Sequence, residues 1–342
     1  MAKVVCFGEI MLRLAPEGYL RFGQSSIYEA TYGGAEANVS VSLANYGLNP
    51  FFVSKIPNNP IGDAALASLK YFGVDTSLAA RGGDRLGIYF CEKGASMRPS
   101  KVVYDRAHSA ISQAVSADFD WDQILDGAAW FHFTGITPAV SDSAAEVTLE
   151  AVKAAKAKGI TVSCDLNYRK NLWSREKAGK VMGEIVKYVD VLIANEEDSA
   201  DVFGIHADST DIESGKLNDE GYKSVARQLV KRFGCKFIAI TLRESLSAND
   251  NNWSGLLYDA KDDSFYKSTK YSIRIVDRVG GGDSFGSGLI YSMIKGYDDQ
   301  TAVEFAAAAS ALKHTIEGDF NRVTVAEVQA LMGGSVSGRV QR

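Results

Sequence analysis

The chain is poor in the residues that most often hold metals or staple small folds. It has four cysteines, four histidines and six prolines among 342 residues. Cys6, Cys91, Cys164 and Cys235 stand far apart, without the spacing that ligates zinc. Cys6, Cys164 and Cys235 lie in or near apolar strand-like runs, so reduced core thiols are expected. No apolar run is long enough for a membrane-spanning helix. No long basic run occurs and the formal charge is −5, which argues against a general nucleic-acid binder and leaves room for a local cationic pocket. Met1 leads directly into a strand-like run with no leader pattern, so a cytoplasmic location is expected.

Two familiar motifs are also missing. Gly8-Glu9-Ile10, after the first strand-like run, lacks the glycine spacing of a dinucleotide fold, and no glycine loop ends in Lys-Ser or Lys-Thr. Gly282-Asp283-Ser284-Phe285 resembles a serine-esterase motif, but His314 is the only later histidine and no histidine–carboxylate pair follows. His108, His132 and His206 show no catalytic spacing.

What is present suits a large buried core: 46% hydrophobic and 23% charged residues, with glycine enriched at 32. Strand and helix patterns alternate along much of the chain. Strands are expected at 3–7, 51–55, 129–134, 161–165, 191–194 and 237–241. Helices are expected from 35, and over 63–72, 141–158, 176–186, 221–232, 283–295, 301–315 and 324–332. This alternation predicts an α/β fold with a mostly parallel sheet covered on both faces. The segments 12–31 and 86–106 break the rule with short antiparallel-looking strands, expected to form one small sheet over the larger body. The expected division is a core of 1–11, 32–85 and 107–342, and a lid of 12–31 and 86–106. Leu256–Tyr258 and Phe265–Tyr271 read as an antiparallel excursion, and 245–254 as a polar loop.

In parallel sheets ligands lie beyond the carboxyl ends of the strands. Asn167 and Arg169 follow the strand ending at Asp165, Asn195 and Asp198 the one ending at Ala194, and Arg243 the one ending at Thr241. The strongest local signal is Asp277-Arg278-Val279-Gly280-Gly281-Gly282-Asp283. Glycines before a helix let an anion reach unpaired N–H groups at its positive end. A carboxylate beside such a nest is suited to take a proton from a hydroxyl attacking a phosphoryl group. The pattern points to phosphoryl transfer with Asp283 as base; an ordinary glycine turn with an N-cap aspartate is the plainer alternative.

Gly33-Gly34-Ala35-Glu36-Ala37-Asn38 and the segment from Asp277 to Phe285 together resemble the ribokinase-like (PfkB) family of carbohydrate kinases, over nearly the whole chain. Tyr104-Asp105-Arg106, the run from Asp165 to Arg169, Thr241 to Ser245 and the segment beginning at Asp277 are most similar to its 2-keto-3-deoxygluconate kinase subgroup. The resemblance implies a ribokinase-like fold and transfer of the ATP γ-phosphoryl group to a primary alcohol of a sugar acid. The expected product is 2-keto-3-deoxy-6-phosphogluconate. Fructose, ribose or 2-keto-3-deoxygalactonate are the alternative substrates. It implies an anion hole from Gly280, Gly281, Gly282 and Asp283, and substrate contacts from Gly33, Gly34, Asn38, Tyr89, Tyr104, Arg106, Asn167 and Arg169. Arg169 is the carboxylate partner, unless it forms a surface ion pair with Asp165 or Glu197. Arg106 reaches in from the lid, unless it is a solvated hairpin charge. Tyr89 and Tyr104 serve the sugar or merely pack the lid.

On the nucleotide side the resemblance implies roles for Asn195, Asp198, Thr241, Arg243, Gly280, Gly282 and His314. Within Asn195-Glu196-Glu197-Asp198 the acid is Asp where the family usually has Glu; its implied task is to order waters of a phosphate-bound Mg²⁺, with Glu197 as the substitute. No metal held by protein groups alone is expected. Ala306–His314, Gly318 and Asn321 are the expected adenine wall. Arg278 and Val279 replace two threonines common in the wider family, a departure the subgroup shares. A homo-oligomer is also expected, since small lid sheets leave exposed edges.

Overall fold

The computed structural model describes residues 1–195, 197–206 and 219–334. Its larger sheet runs, from one edge to the other, through strands Ser264–Lys267, Asp250–Asp259, Phe237–Ser245, Val191–Asn195, Thr161–Asp165, Ala128–Thr134, Lys3–Phe7 and Asn49–Val53. The six strands from Phe237–Ser245 to Asn49–Val53 are mutually parallel. The two beyond Phe237–Ser245 are antiparallel, and Tyr271–Arg274 also pairs with Asp250–Asp259.

Strand residues alternate between two buried faces, as the pleat requires. Val5, Phe7, Phe131, Phe133, Cys164 and Leu192 pack into one core with the helices Asp142–Ala157, Arg175–Ile185 and Asp219–Phe233. Val4, Cys6, Val191, Ile193, Ala239 and Leu257 pack into the other with Ala35–Asn45, Gly281–Ile294, Asp299–Lys313 and Val325–Met332. All four cysteines are free and buried, as expected. Among the described residues no helix is long and apolar enough to cross a membrane.

A separate four-stranded sheet has the order Tyr28–Gly33, Met11–Pro16, Gly87–Glu92, Lys101–Asp105. Its outer pairs are antiparallel, as expected, but its central pair, Met11–Pro16 with Gly87–Glu92, is parallel. The two hairpin-like patches are distant in sequence and join side by side rather than through a turn.

The other differences lie at boundaries. Asn59 caps a helix over Pro60–Lys70, so that helix starts three residues before Asp63. Phe237–Ser245 continues past Thr241, because Leu242, Arg243, Glu244 and Ser245 pair with Ser254, Trp253, Asn252 and Asn251. Most of the polar stretch read as a loop is therefore a long β-hairpin, whose tip alone, around Leu246–Asn249, is a turn.

One buried cluster ties the two sheets together. Arg13 of the Met11–Pro16 strand donates to Asp277 at 2.6 Å and to Asp319 at 2.7 Å, with every partner nearly inaccessible to solvent. Tyr89 of the Gly87–Glu92 strand donates to Asp319 at 2.6 Å. The fully buried Lys313 ammonium sits beside them, donating weakly to the carbonyls of Asp277 at 3.4 Å and Ile316 at 3.3 Å. Removing one partner of such a cluster strands opposite charges in a low-dielectric interior. Arg13→Met is expected to lower unfolding free energy by roughly 3–5 kcal/mol, read from urea denaturation; a loss below about 1 kcal/mol would mean that solvent reaches the cluster.

Candidate active site

A cavity of about 350 Å³ opens beyond the carboxyl ends of the parallel strands. The Gly281–Ile294 helix forms its floor. Gly280 precedes that helix with φ of 83°, in the left-handed region that glycine tolerates. A β-carbon there would also fall 2.2 Å from the Asp319 carbonyl oxygen. Gly281 is equally confined, since its β-carbon would meet the His314 ring at 2.4 Å. Gly282 is different: open space surrounds it, and it lines the cavity. The helix begins two residues earlier than its sequence pattern suggested, so Asp283 lies inside the first turn. The N–H groups of Gly282 and Asp283 meet no protein acceptor there. They are the donors that an incoming anion would find.

Asp283 is half-buried, and it lines the cavity. Burial pushes its pKa up to about 7, with the Asp319 and Glu36 charges adding to the rise. The Asn38 amide opposes the shift by donating to Oδ2 at 2.7 Å, and Arg169 opposes it by charge. A carboxylate so poised is a usable base near neutrality.

Arg169 is exposed at the cavity wall. It donates only to the Tyr168 carbonyl, at 3.3 Å, and forms no ion pair among the described residues. It therefore does not make the surface pair with Asp165 or Glu197 that its sequence allowed. Burial raises the Asp165 carboxyl well above its usual range, and the Asp198 and Asp283 charges raise it further. Arg169 is the cation that moderates this group of acids.

The site sits on a recognisable scaffold. The sequence matches the description "pfkB family carbohydrate kinase" over residues 1–322. The chain belongs to that family. A 2-dehydro-3-deoxygluconokinase structure from Thermotoga maritima is 53% identical, covers 97% of this chain and 98% of its own, and superposes with a TM-score of 0.93. A 2-dehydro-3-deoxygalactonokinase from Haloferax volcanii is 31% identical over 98% of both chains. A 2-dehydro-3-deoxygluconokinase from Bacillus subtilis is 29% identical over 94% of this chain and 93% of its own.

Within this PfkB scaffold most of the expected residues converge. Gly34, Asn38, Tyr89, Tyr104 and Arg106 line the cavity from one side. Asn167, Arg169, Asn195, Asp198, Thr241 and Arg243 line it from the strand ends, and Gly280, Gly281, Gly282 and Asp283 from below. Their individual surroundings differ from several expectations. A β-carbon on Gly34 would lie 2.0 Å from the Glu9 carbonyl oxygen, so this glycine serves backbone packing. Gly33 lies outside the cavity lining and is pressed against the Asp319 carboxylate. Tyr89 spends its hydroxyl on Asp319. Arg106 is a buried ion-pair partner of Glu9 rather than a solvated hairpin charge, and its guanidinium lies 5.3 Å from the Tyr104 ring centre. Tyr104 itself is 41% exposed and keeps a free face.

On the nucleotide side, Asp198 is 4% exposed, and its two oxygens accept from the N–H groups of Tyr168 at 3.1 Å and Asn195 at 3.2 Å. Asn195 in turn accepts from Glu197 and Asp198 N–H. The pair thus knots two strand ends together, with one bond to each Asp198 oxygen. Glu197 is exposed and lines the cavity as Asp198 does; Glu196 lies outside the described residues. His314 does not reach the cavity. Its Nδ1–H donates to the Ser310 carbonyl at 2.7 Å, and burial pushes its pKa down to about 4. It props the glycine turn from behind. Ala306–Ala309 are fully buried core residues, and Asn321 donates to Tyr46 and Ser284, so neither forms an open adenine wall.

Residues that sequence reasoning left without a role include Glu9, Arg13, Asp319 and Lys313. Their signal is present, as charges inside otherwise apolar or structural runs, but the partners of Glu9, Arg13 and Asp319 lie from 97 to 306 residues away.

The folded pKa of Asp283, about 7, lies above its ordinary value of 3.8. The folded protein then binds more protons than the unfolded chain across that window, so this group's contribution to stability falls as pH rises through it. Asp283→Asn is expected to raise the melting temperature at pH 8 by several degrees and to change it little at pH 4; an equal shift at both would contradict the raised pKa. Asn38→Ala removes the donor that favours the ionised form. The acid limb of its kcat/KM–pH profile is expected to move to higher pH than the wild-type limb near 7.

Proposed function

We propose that this protein transfers the γ-phosphoryl group of ATP to the 6-hydroxyl of 2-keto-3-deoxygluconate, giving 2-keto-3-deoxy-6-phosphogluconate and ADP. The observation that carries this reading is the pairing, in one cavity, of a half-buried carboxylate poised near neutrality with an arginine that has no counter-ion among the described residues. A neutral sugar needs no such cation. A sugar acid does, and a guanidinium meets a carboxylate with two parallel donors. The 53%-identical relative from Thermotoga maritima, named a 2-dehydro-3-deoxygluconokinase, supports the same substrate.

In this mechanism Arg169 holds the substrate carboxylate, which directs the far end of the chain toward Asp283. Asp283 accepts the proton of the 6-hydroxyl as O6 bonds to the γ-phosphorus. The bond from that phosphorus to the bridging oxygen breaks, and its electron pair leaves with ADP. The N–H groups of Gly282 and Asp283 hold charge on the transferring oxygens. Among the described residues no group of acids, histidines and cysteines could cage a metal. The residues fit a Mg²⁺ that rides on ATP phosphates and water, with Glu197 beside it. When bound, the ion supplies charge neutralisation for the phosphates.

The segments 12–31 and 86–106 act as a lid over the sugar, and the remaining described residues as the core. Arg13 and Tyr89 anchor the lid's base, so closure falls to its far hairpin, where Lys101–Asp105 is exposed along its length. That same unpaired edge suits a contact between copies of the chain, making a homo-oligomer. The protein acts in the cytoplasm on this reading. The Haloferax volcanii relative, named for the galactonate-derived substrate, keeps 2-keto-3-deoxygalactonate as a second reading.

A coupled assay for ADP formation with both ketodeoxy acids, fructose and ribose tests the assignment; faster turnover of a neutral sugar would overturn it. Asp283→Asn is expected to lower kcat at least about 1,000-fold with sugar-acid binding retained in calorimetry. Arg169→Ala is expected to raise KM for the acid at least about tenfold and to leave KM for ATP within about twofold.

A further inference from the structure

Beside the glycine turn two arginines, Arg278 and Arg243, line the same cavity. Arg278 lines the cavity half-buried, and its Nη2 donates to the Ala248 carbonyl at 3.0 Å. It forms no ion pair among the described residues. Arg243, on the neighbouring hairpin, lines the same cavity and is exposed, and its side chain has no hydrogen bond or ion pair among the described residues. Burial and the Arg243 charge both disfavour the ionised form of Arg278, and the Asp277 charge opposes them. Two guanidiniums close enough to repel carry a standing cost, and a polyanion placed between them reverses its sign. The unpaired N–H groups of Gly282 and Asp283 open into the same cavity.

We propose that Arg278 and Arg243 form a two-guanidinium clamp on the terminal phosphates of the nucleotide, with Arg278 contacting the phosphoryl group as it is transferred. The inference rests on the kinase reading and adds a contact residue to it. Arg278 stands on the turn that carries the anion hole, so its charge is fixed relative to Asp283 by covalent geometry as well as by the Ala248 bond. It supplies at the transition state a planar donor that a threonine at this position cannot. Both arginines grip the bound phosphates, and Arg278 adds to that grip its contact with the moving phosphoryl group. The division of labour predicts different kinetic signatures for the two.

The test compares wild type with Arg278→Gln, Arg278→Lys and Arg243→Gln. All four are first matched by thermal melting, with the lysine variant available if the glutamine variant does not fold. Arg278→Gln is expected to lower kcat roughly 100-fold or more, with KM for the sugar acid within about twofold. Arg278→Lys is expected to recover only part of that loss, since a point charge replaces a fork. Arg243→Gln is expected to raise KM for ATP about tenfold with a smaller effect on kcat. Calorimetry with inorganic tripolyphosphate gives an arm independent of turnover: each glutamine variant is expected to bind it about tenfold more weakly, and AMP as well as wild type does. Tripolyphosphate binding equal to wild type in Arg278→Gln would overturn the clamp. So would a selective rise in sugar-acid KM, which would assign Arg278 to the substrate carboxylate. Wild type inactive with ATP and every sugar acid would instead defeat the kinase reading, and the tripolyphosphate arm would still decide whether the arginines hold polyanions.

Discussion

The burial of one carboxylate at the start of a helix is the constraint on which the site depends. Asp283 sits where a helix's positive end would ordinarily favour its charge, yet burial dominates and its pKa rises to about 7. That balance is set by the surroundings. The Asn38 amide, 245 residues away in sequence, donates to the carboxylate, and Arg169 lends positive charge from the wall. Without them the group would be too weakly ionised to act as a base at neutral pH. With a closer ion pair it would be ionised but too weak a base.

The same helix start is held from behind by a buried charged cluster, of which Asp319 and Tyr89 also border the cavity. Asp277 accepts from the N–H of Val279 at 3.1 Å and of Gly318 at 3.2 Å while it pairs with Arg13. Asp319 presses on Gly280 and Gly33 and takes the Tyr89 hydroxyl. The small sheet is thereby fastened to the turn that forms the anion hole.

Local patterns were legible in the sequence, and long-range pairings were not. The glycine turn and Asp283 announce themselves because the signal is contiguous. The parallel sheet announces itself because strand and helix periods alternate. The strand-end residues Asn167, Arg169 and Asn195 could be placed in one cavity because the topology of parallel sheets puts strand ends together. By contrast, Arg13 meets Asp319 across 306 residues and Asp277 across 264, and nothing in the neighbourhood of any of them names its partner. Tyr89 and Arg106 were placed correctly in the cavity, but their polar ends are taken by Asp319 and Glu9. His314 was misplaced because an alanine-rich helix reads equally as a ligand wall and as a tightly packed core. The strand past Thr241 was cut short because a polar sequence can still pair when it forms a hairpin at a sheet edge.

The most direct measurement is a crystal structure of the protein with 2-keto-3-deoxygluconate and a non-hydrolysable ATP analogue. The account predicts the substrate carboxylate on the Arg169 guanidinium and the 6-hydroxyl oxygen within about 3 Å of an Asp283 carboxylate oxygen. A closed complex with that hydroxyl well beyond hydrogen-bond reach of Asp283, or with the substrate reversed in the cavity, would contradict it.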